Sequence, residues 1–183
     1  MEVFRRTREG GATARLEEAE AVMLRSLIAN VMDMIASARP RSASAGDLDD
    51  LELLLDPQTE LTTPEDPILA RLLPDGYRDD PDAAGEFRRY TESSLRDTKR
   101  EAAQTLLDTL PSQGGPVRLS ADEAQAWLRA LNDVRLAIGT RLDVTEDFEE
   151  QLAAIDPEDP RATAFEVYGW LGAVQASLVQ ALM

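Results

Sequence analysis

Apolar residues recur every three or four positions over most of this chain, and that spacing predicts helices wherever it is sustained. Ala19, Met23, Leu27, Val31, Met34 and Ile35 trace one stripe over residues 17–36, and Glu17, Glu18 and Glu20 at its start complement a helix N-terminus. A longer stripe of Phe87, Tyr90, Thr91, Leu95, Thr98, Ala102, Leu106 and Leu110 predicts a helix over residues 82–110, stopped by Pro111 and Gly114-Gly115. Ala124, Trp127, Leu131, Val134, Ile138 and Leu142 predict a third. Its start is explicit: Ser120 and Glu123 stand at the S-x-x-E spacing in which each side chain accepts the other residue's backbone N–H. A helix capped by Thr145 and running through Ile155, and a last one opened by Asp159-Pro160 and reaching residue 183, complete the series.

Elsewhere the helical period breaks. Residues 2–6 and 12–16 flank Gly10-Gly11, a pair that supplies positive φ, and read as a β-hairpin. Residues 117–119 are a short extended segment able to add a third strand. Residues 38–46, ARPRSASAG, form a linker into an acidic stretch where Leu48, Leu51, Leu54 and Leu55 would make one short helix. Asp66-Pro67 and Asp80-Pro81 each put a capping side chain before a proline suited to a first helical turn. Residues 68–73 therefore read as a short helix ended by Pro74-Asp75-Gly76. The expected fold is mainly α: a helical bundle of four to five main helices with a small N-terminal β-hairpin, which becomes a three-stranded sheet if residues 117–119 join it. One domain over residues 1–183 is expected, with residues 38–82 a Pro-rich acidic linker and insertion.

Composition narrows the chemistry more than the fold. The 183 residues include no histidine and no cysteine, which removes the imidazole base, the thiolate nucleophile, the Cys/His zinc cage and the disulfide framework. The net charge is -16, and direct nucleic-acid binding, which needs a basic face, is not expected. That charge is concentrated in residues 47–82 and 143–183, while residues 1–46 and 83–142 are nearly balanced. Such faces either serve only solubility or steer a basic partner. Neither a signal peptide nor a membrane-spanning run is visible, so a cytoplasmic protein is expected.

No catalytic, cofactor or metal residues emerge. Asp47, Asp49, Asp50 and Glu52 lack the glycine and closing glutamate of a calcium loop, and no phosphate-binding or nucleophile-elbow motif is present. The most decorated helix places Asn132, Arg135 and Gly139 along one side, where glycine lets another backbone approach. If Arg135 is buried it needs a carboxylate, with Asp133, Glu92 and Asp108 as candidates. It then belongs either to a packing network or to a recessed anion or partner site. Arg88, Glu92 and Arg96 form i, i+4 pairs read as surface support. Lys99, the only lysine, lies beside the apolar stripe, where partial burial would lower its pKa. The last helix is apolar on several sides, with Tyr168 and Trp170 among its residues. It is either central to its own core or shared with a partner, in a homodimer or a heteromeric complex. Tyr168, Trp170, Asn132 and Arg135 are the candidate partner-binding residues.

FRRYTESSLRDTKREAAQTLLDTLP from Phe87, GGPVRLS from Gly114 and WLRALNDVRLAIGTRL from Trp127 together resemble the actinobacterial oxidative stress regulator AosR-like family, small proteins of formerly unknown function. The similarity is strongest over residues 87–142, and the hairpin-plus-helix layout extends it. The resemblance implies a non-enzymatic cytoplasmic regulator of stress-response transcription that needs no cofactor. It would act by binding a regulatory protein such as a sigma factor. An adaptor or structural role in regulated proteolysis is the alternative, since family members are often encoded beside the Clp protease adaptor. Redox sensing in the family is attributed to a CxxxC pair, which this chain lacks. Oxidation of Met23, Met32 or Met34 is the sulfur chemistry that remains.

Overall fold

The computed structural model describes residues 2–37, 64–77, 79–156 and 158–183. Strands β1 (Glu2–Arg6) and β2 (Ala12–Leu16) pair antiparallel across a turn at Gly10, whose φ is 86°. The turn is tied by hydrogen bonds from Thr7 N–H to the Gly11 carbonyl and from Gly11 N–H to Thr7 Oγ1. Strand β3 (Gly115–Leu119) pairs antiparallel with β2, making the three-stranded sheet β1-β2-β3. Gly11 is required for that pairing, because a Cβ there would lie 2.0 Å from the Leu119 carbonyl oxygen. Ala12, Ala14 and Leu16 on β2 and Val117 and Leu119 on β3 turn inward at the two-residue period of a half-buried sheet.

Six helices complete the described structure: α1 (Glu18–Ser37), α2 (Pro67–Leu72), α3 (Pro81–Thr109), α4 (Ala121–Leu142), α5 (Phe148–Ala154) and α6 (Ala162–Leu182). The proline-preceding aspartates cap as expected. Asp66 accepts from the backbone N–H groups of Ile68 and Leu69, and Asp80 from that of Ala83. The Ser120–Glu123 capping box closes reciprocally at 3.3 and 2.7 Å. Thr145, expected as a cap, is not one. Helix α5 starts at Phe148 after Asp147, and the Thr145 N–H instead donates to the Gln151 side chain at 2.9 Å. Asp159 accepts the Arg161 N–H in a turn that precedes α6 by two residues. The leucine-bearing helix and the acidic calcium-like spacing expected within residues 47–56 lie outside the described residues.

Helix α4 is the hub, packing against α1, α2, α3 and α6, while α6 also covers β1. Trp127 on α4 is fully buried, meets the ring of Phe4 edge-on at 5.8 Å and donates its indole N–H to Thr109 Oγ1 at 2.7 Å. Its other expected stripe residues are buried too, apart from half-buried Ile138. On two other helices the buried face is rotated from the expected one. Helix α1 buries Ala21, Leu24, Ile28, Val31 and Ile35, leaving Ala19 exposed and Met23, Leu27 and Met34 half-buried. Its apolar arc is wide enough for either choice, and α3 and α4 take the line set by Leu24 and Ile28. On α3, Phe87, Tyr90 and Thr98 face out, and the inward line runs through Ala84, Arg88 and Arg96 before it becomes apolar at Ala102, Ala103 and Leu106. No helix among the described residues is long and apolar enough to cross a membrane.

Candidate functional site

The inward face of the first half of α3 is charged. Arg88 is 4% exposed, Glu92 13% and Arg96 7%, so the i, i+4 pairs expected at the surface are interior. Glu92 Oε2 accepts from Arg88 at 2.5 Å, and Glu92 Oε1 accepts two N–H groups of Arg96 at 2.9 and 2.6 Å. Arg88 also donates to Asp75 at 2.5 Å and to the Leu73 carbonyl at 3.0 Å, and Arg96 donates to the Ile35 carbonyl. Burial alone would lower the Arg88 pKa. The hydrogen bonds and charges of Asp75 and Glu92 outweigh it and raise the pKa, keeping the guanidinium charged.

One turn further along α3, Lys99 Nζ donates to Asp133 Oδ1 of α4 at 2.6 Å, with both side chains largely buried. Burial pushes the Asp133 carboxyl upward, and the hydrogen bond and charge of Lys99 offset this only in part. The sequence places Lys99 correctly beside the stripe, but the partner comes from another helix.

Arg135 has none of its expected carboxylates. Asp133 is taken by Lys99, Glu92 by Arg88 and Arg96, and Asp108 by Gln104. Arg135 instead donates to Gln175 Oε1 at 2.7 Å and to Tyr168 Oη at 3.3 Å, with its guanidinium carbon 5.0 Å from the Tyr168 ring centre. Its buried Nε has no hydrogen-bond partner among the described residues. Gly139 admits that ring rather than a second backbone, since a Cβ there would lie 3.0 Å from Tyr168. Phe148 packs on the same ring at 4.9 Å. Of the four candidate partner-binding residues, Arg135 and Tyr168 thus come together in one half-buried cluster. Trp170 stands apart, its indole N–H donating to Glu20 at 3.3 Å, and Asn132 is exposed on α4.

Sequence reasoning missed an aromatic surface. Tyr77 and Phe87 meet edge-on at 5.8 Å and both remain exposed, as does Tyr90, which is 75% exposed. Asp79, Asp80, Asp82 and Glu86, near them in the sequence, are exposed as well. Helical spacing had assigned Phe87 and Tyr90 to the core, and their surplus over the buried line is the signal that would have shown them. Among the described residues no group of three or more acidic side chains is placed to hold a metal ion.

Residues 1–182 match the family described as Domain of unknown function (DUF2017). The chain belongs to this family. Over 178 residues it is 37% identical to a Mycobacterium bovis protein and to a Mycobacterium tuberculosis H37Rv protein, each named oxidative stress regulator AosR. These alignments cover 90% of this chain and 78% of each relative. A Mycobacterium leprae relative is 35% identical over the same length. No solved structure matches. The family thus agrees with the resemblance carried by residues 87–142, and it extends well beyond that segment.

Proposed function

We propose that this chain is a non-enzymatic regulator in the response to oxidative stress that works in the cytoplasm by binding another protein. The observation that carries the reading is its 37% identity, over 90% of its length, to proteins named oxidative stress regulator AosR. These 183 residues contain no cysteine, so they supply no thiol switch of their own. The partner we favour is a component of the transcription apparatus, of the sigma-factor type, rather than DNA itself, because a net charge of -16 opposes contact with phosphates.

Two faces suit a partner. The exposed rings of Tyr77, Phe87 and Tyr90 offer the aromatic anchors that concentrate binding energy at interfaces, on a segment whose exposed carboxylates would attract a basic surface. The half-buried Arg135–Tyr168 cluster is the second, with Trp170 and the exposed Asn132 standing apart from it. The first is preferred because its rings have less to lose from their own fold. The test is affinity capture from a native lysate with mass spectrometry. Wild-type chain should retain a transcription-apparatus protein, Tyr77→Ala/Tyr90→Ala should lose at least tenfold of it, and Tyr168→Ala/Trp170→Ala should lose less. Recovery of no such protein by the wild type sinks the proposal, and the reverse order of the variants moves the contact to the second face. Sedimentation of the wild type separates a homodimer from a monomer that awaits another partner.

A further inference from the structure

We infer that the junction of α1, α3 and α4 is a binding site for a small uncharged aliphatic molecule carrying one hydrogen-bond acceptor, held through Lys99. This inference does not rest on the regulatory reading. A cavity of about 230 Å³ opens there, with Ile28, Val31 and Ile35 of α1, Ala103 of α3 and Ala130 of α4 on its apolar walls. Counting about 30 Å³ for each water-sized group, the space suits a body of on the order of eight heavy atoms.

The polar wall sets the head group. Lys99 and Asp133 both line the cavity, and the Lys99 ammonium, with three N–H donors, makes one hydrogen bond among the described residues, to Asp133 Oδ1. Its remaining donors are available to a carbonyl or hydroxyl oxygen. Arg96, Lys99 and Arg100 line the wall with Asp133, and each cation is already paired: Lys99 with Asp133, and Arg96 and Arg100 with Glu92 and Asp97 outside the lining. Asp33, also at the wall, adds one carboxylate. An anionic ligand would meet Asp133 and Asp33 and find the wall's three cations already paired, and a cationic one would meet Lys99, so either would bring in a charge whose counter-ion is already engaged. A neutral acceptor adds a hydrogen bond to a charged donor at no such cost.

The probe is 2-heptanone, whose eight heavy atoms fit the space, with heptanoate and heptylamine as the charged counterparts. Titration should shift the methyl resonances of Ile28, Val31 and Ile35 saturably, with a dissociation constant in the millimolar range or below. Both charged probes should bind at least tenfold more weakly. Ala103→Met, which fills the cavity with a flexible side chain, should abolish binding while the circular dichroism stays unchanged. Lys99→Met/Asp133→Leu removes both charges together, so no lone buried ion is left, and should weaken 2-heptanone roughly tenfold, the value of one hydrogen bond to a charged donor. Absence of saturable shifts in the wild type overturns the inference, as do equal binding of heptanoate or heptylamine and full binding by Ala103→Met. If the double variant does not fold, the probe series and Ala103→Met still decide.

Discussion

Replacing Glu92 by alanine separates two accounts of the first half of α3. If Arg88, Glu92 and Arg96 were surface i, i+4 pairs, removing Glu92 would forfeit two contacts of roughly 0.2–0.5 kcal/mol each, or about 1 kcal/mol at most. The structure argues for more, because Arg88 and Arg96 are only 4% and 7% exposed and Glu92 accepts three of their N–H groups at 2.5–2.9 Å. Stripping one partner from a buried pair leaves uncompensated charge and costs about 3–5 kcal/mol. Arg88 keeps Asp75 and the Leu73 carbonyl, and Arg96 keeps the Ile35 carbonyl, so neither guanidinium loses every partner. The expected destabilisation is therefore at the lower end, about 3 kcal/mol. Urea unfolding followed by circular dichroism measures it, with Asp97→Ala as the comparator. Asp97 pairs with Arg100 at the exposed surface of the same helix, and its removal should cost under about 1 kcal/mol. If Glu92→Ala and Asp97→Ala lose the same small amount, the interior network contributes nothing special and the reasoning fails.

Ser120→Ala opens one side of the capping box and should lower stability by about 0.5–2 kcal/mol in the same assay, whereas a loss within error would mean that α4 holds its first turn by packing alone. Gly11→Ala drives a Cβ into the Leu119 carbonyl and should destabilise by several kcal/mol or prevent folding, and wild-type thermal stability would show that the β2–β3 register can shift to admit it. Asp133 predicts a pH dependence of defined sign. Burial raises its folded pKa above the unfolded value, so its contribution is greatest below the ordinary carboxylate range and is lost as pH rises through the raised value. The unfolding free energy of the wild type minus that of Asp133→Asn should fall across that window and then level off. A difference that climbs with pH there contradicts the desolvation account.

What was legible in the sequence was local. Ser120 with Glu123, Asp66 before Pro67, Asp80 before Pro81 and Gly10-Gly11 each settle within a few residues whether the backbone turns or coils, and the structure follows them. Even the third strand could be anticipated, since Val117 and Leu119 alternate immediately before a helix cap. Helix rotation was not legible, because two neighbouring lines of residues share a helical period and only the partner surface chooses between them. On α1 the two lines are both apolar. On α3 they differ, and apolarity selected the wrong one, since Phe87 and Tyr90 are exposed. The Arg135 cluster escaped for another reason: its partners Tyr168 and Gln175 are neutral, so an expectation of a carboxylate from Asp133, Glu92 or Asp108 could not find them.

The charged line on α3 has its own periodic logic. Arg88, Glu92, Arg96 and Lys99 continue directly into Ala103, Leu106 and Leu110 at three- and four-residue steps, so the inward face is one unbroken line that changes from ionic to apolar along its length. The reason lies in what the ionic half meets. Helices α1 and α2 both end against it, and helix ends leave carbonyls without intrahelical donors. The last turn of α1 carries no basic residue of its own, and Arg96 reaches across to the Ile35 carbonyl within it, while Arg88 reaches the Leu73 carbonyl at the end of α2. An apolar side chain at either position would bury those oxygens without a donor. A guanidinium supplies the donor, and Glu92 between the two supplies the counter-charge that lets both stay inside. Burial of charge on α3 is thus the consequence of stopping two other helices against it, and an arginine-to-leucine exchange there should unseat the end of α1 or α2 before it disturbs α3 itself.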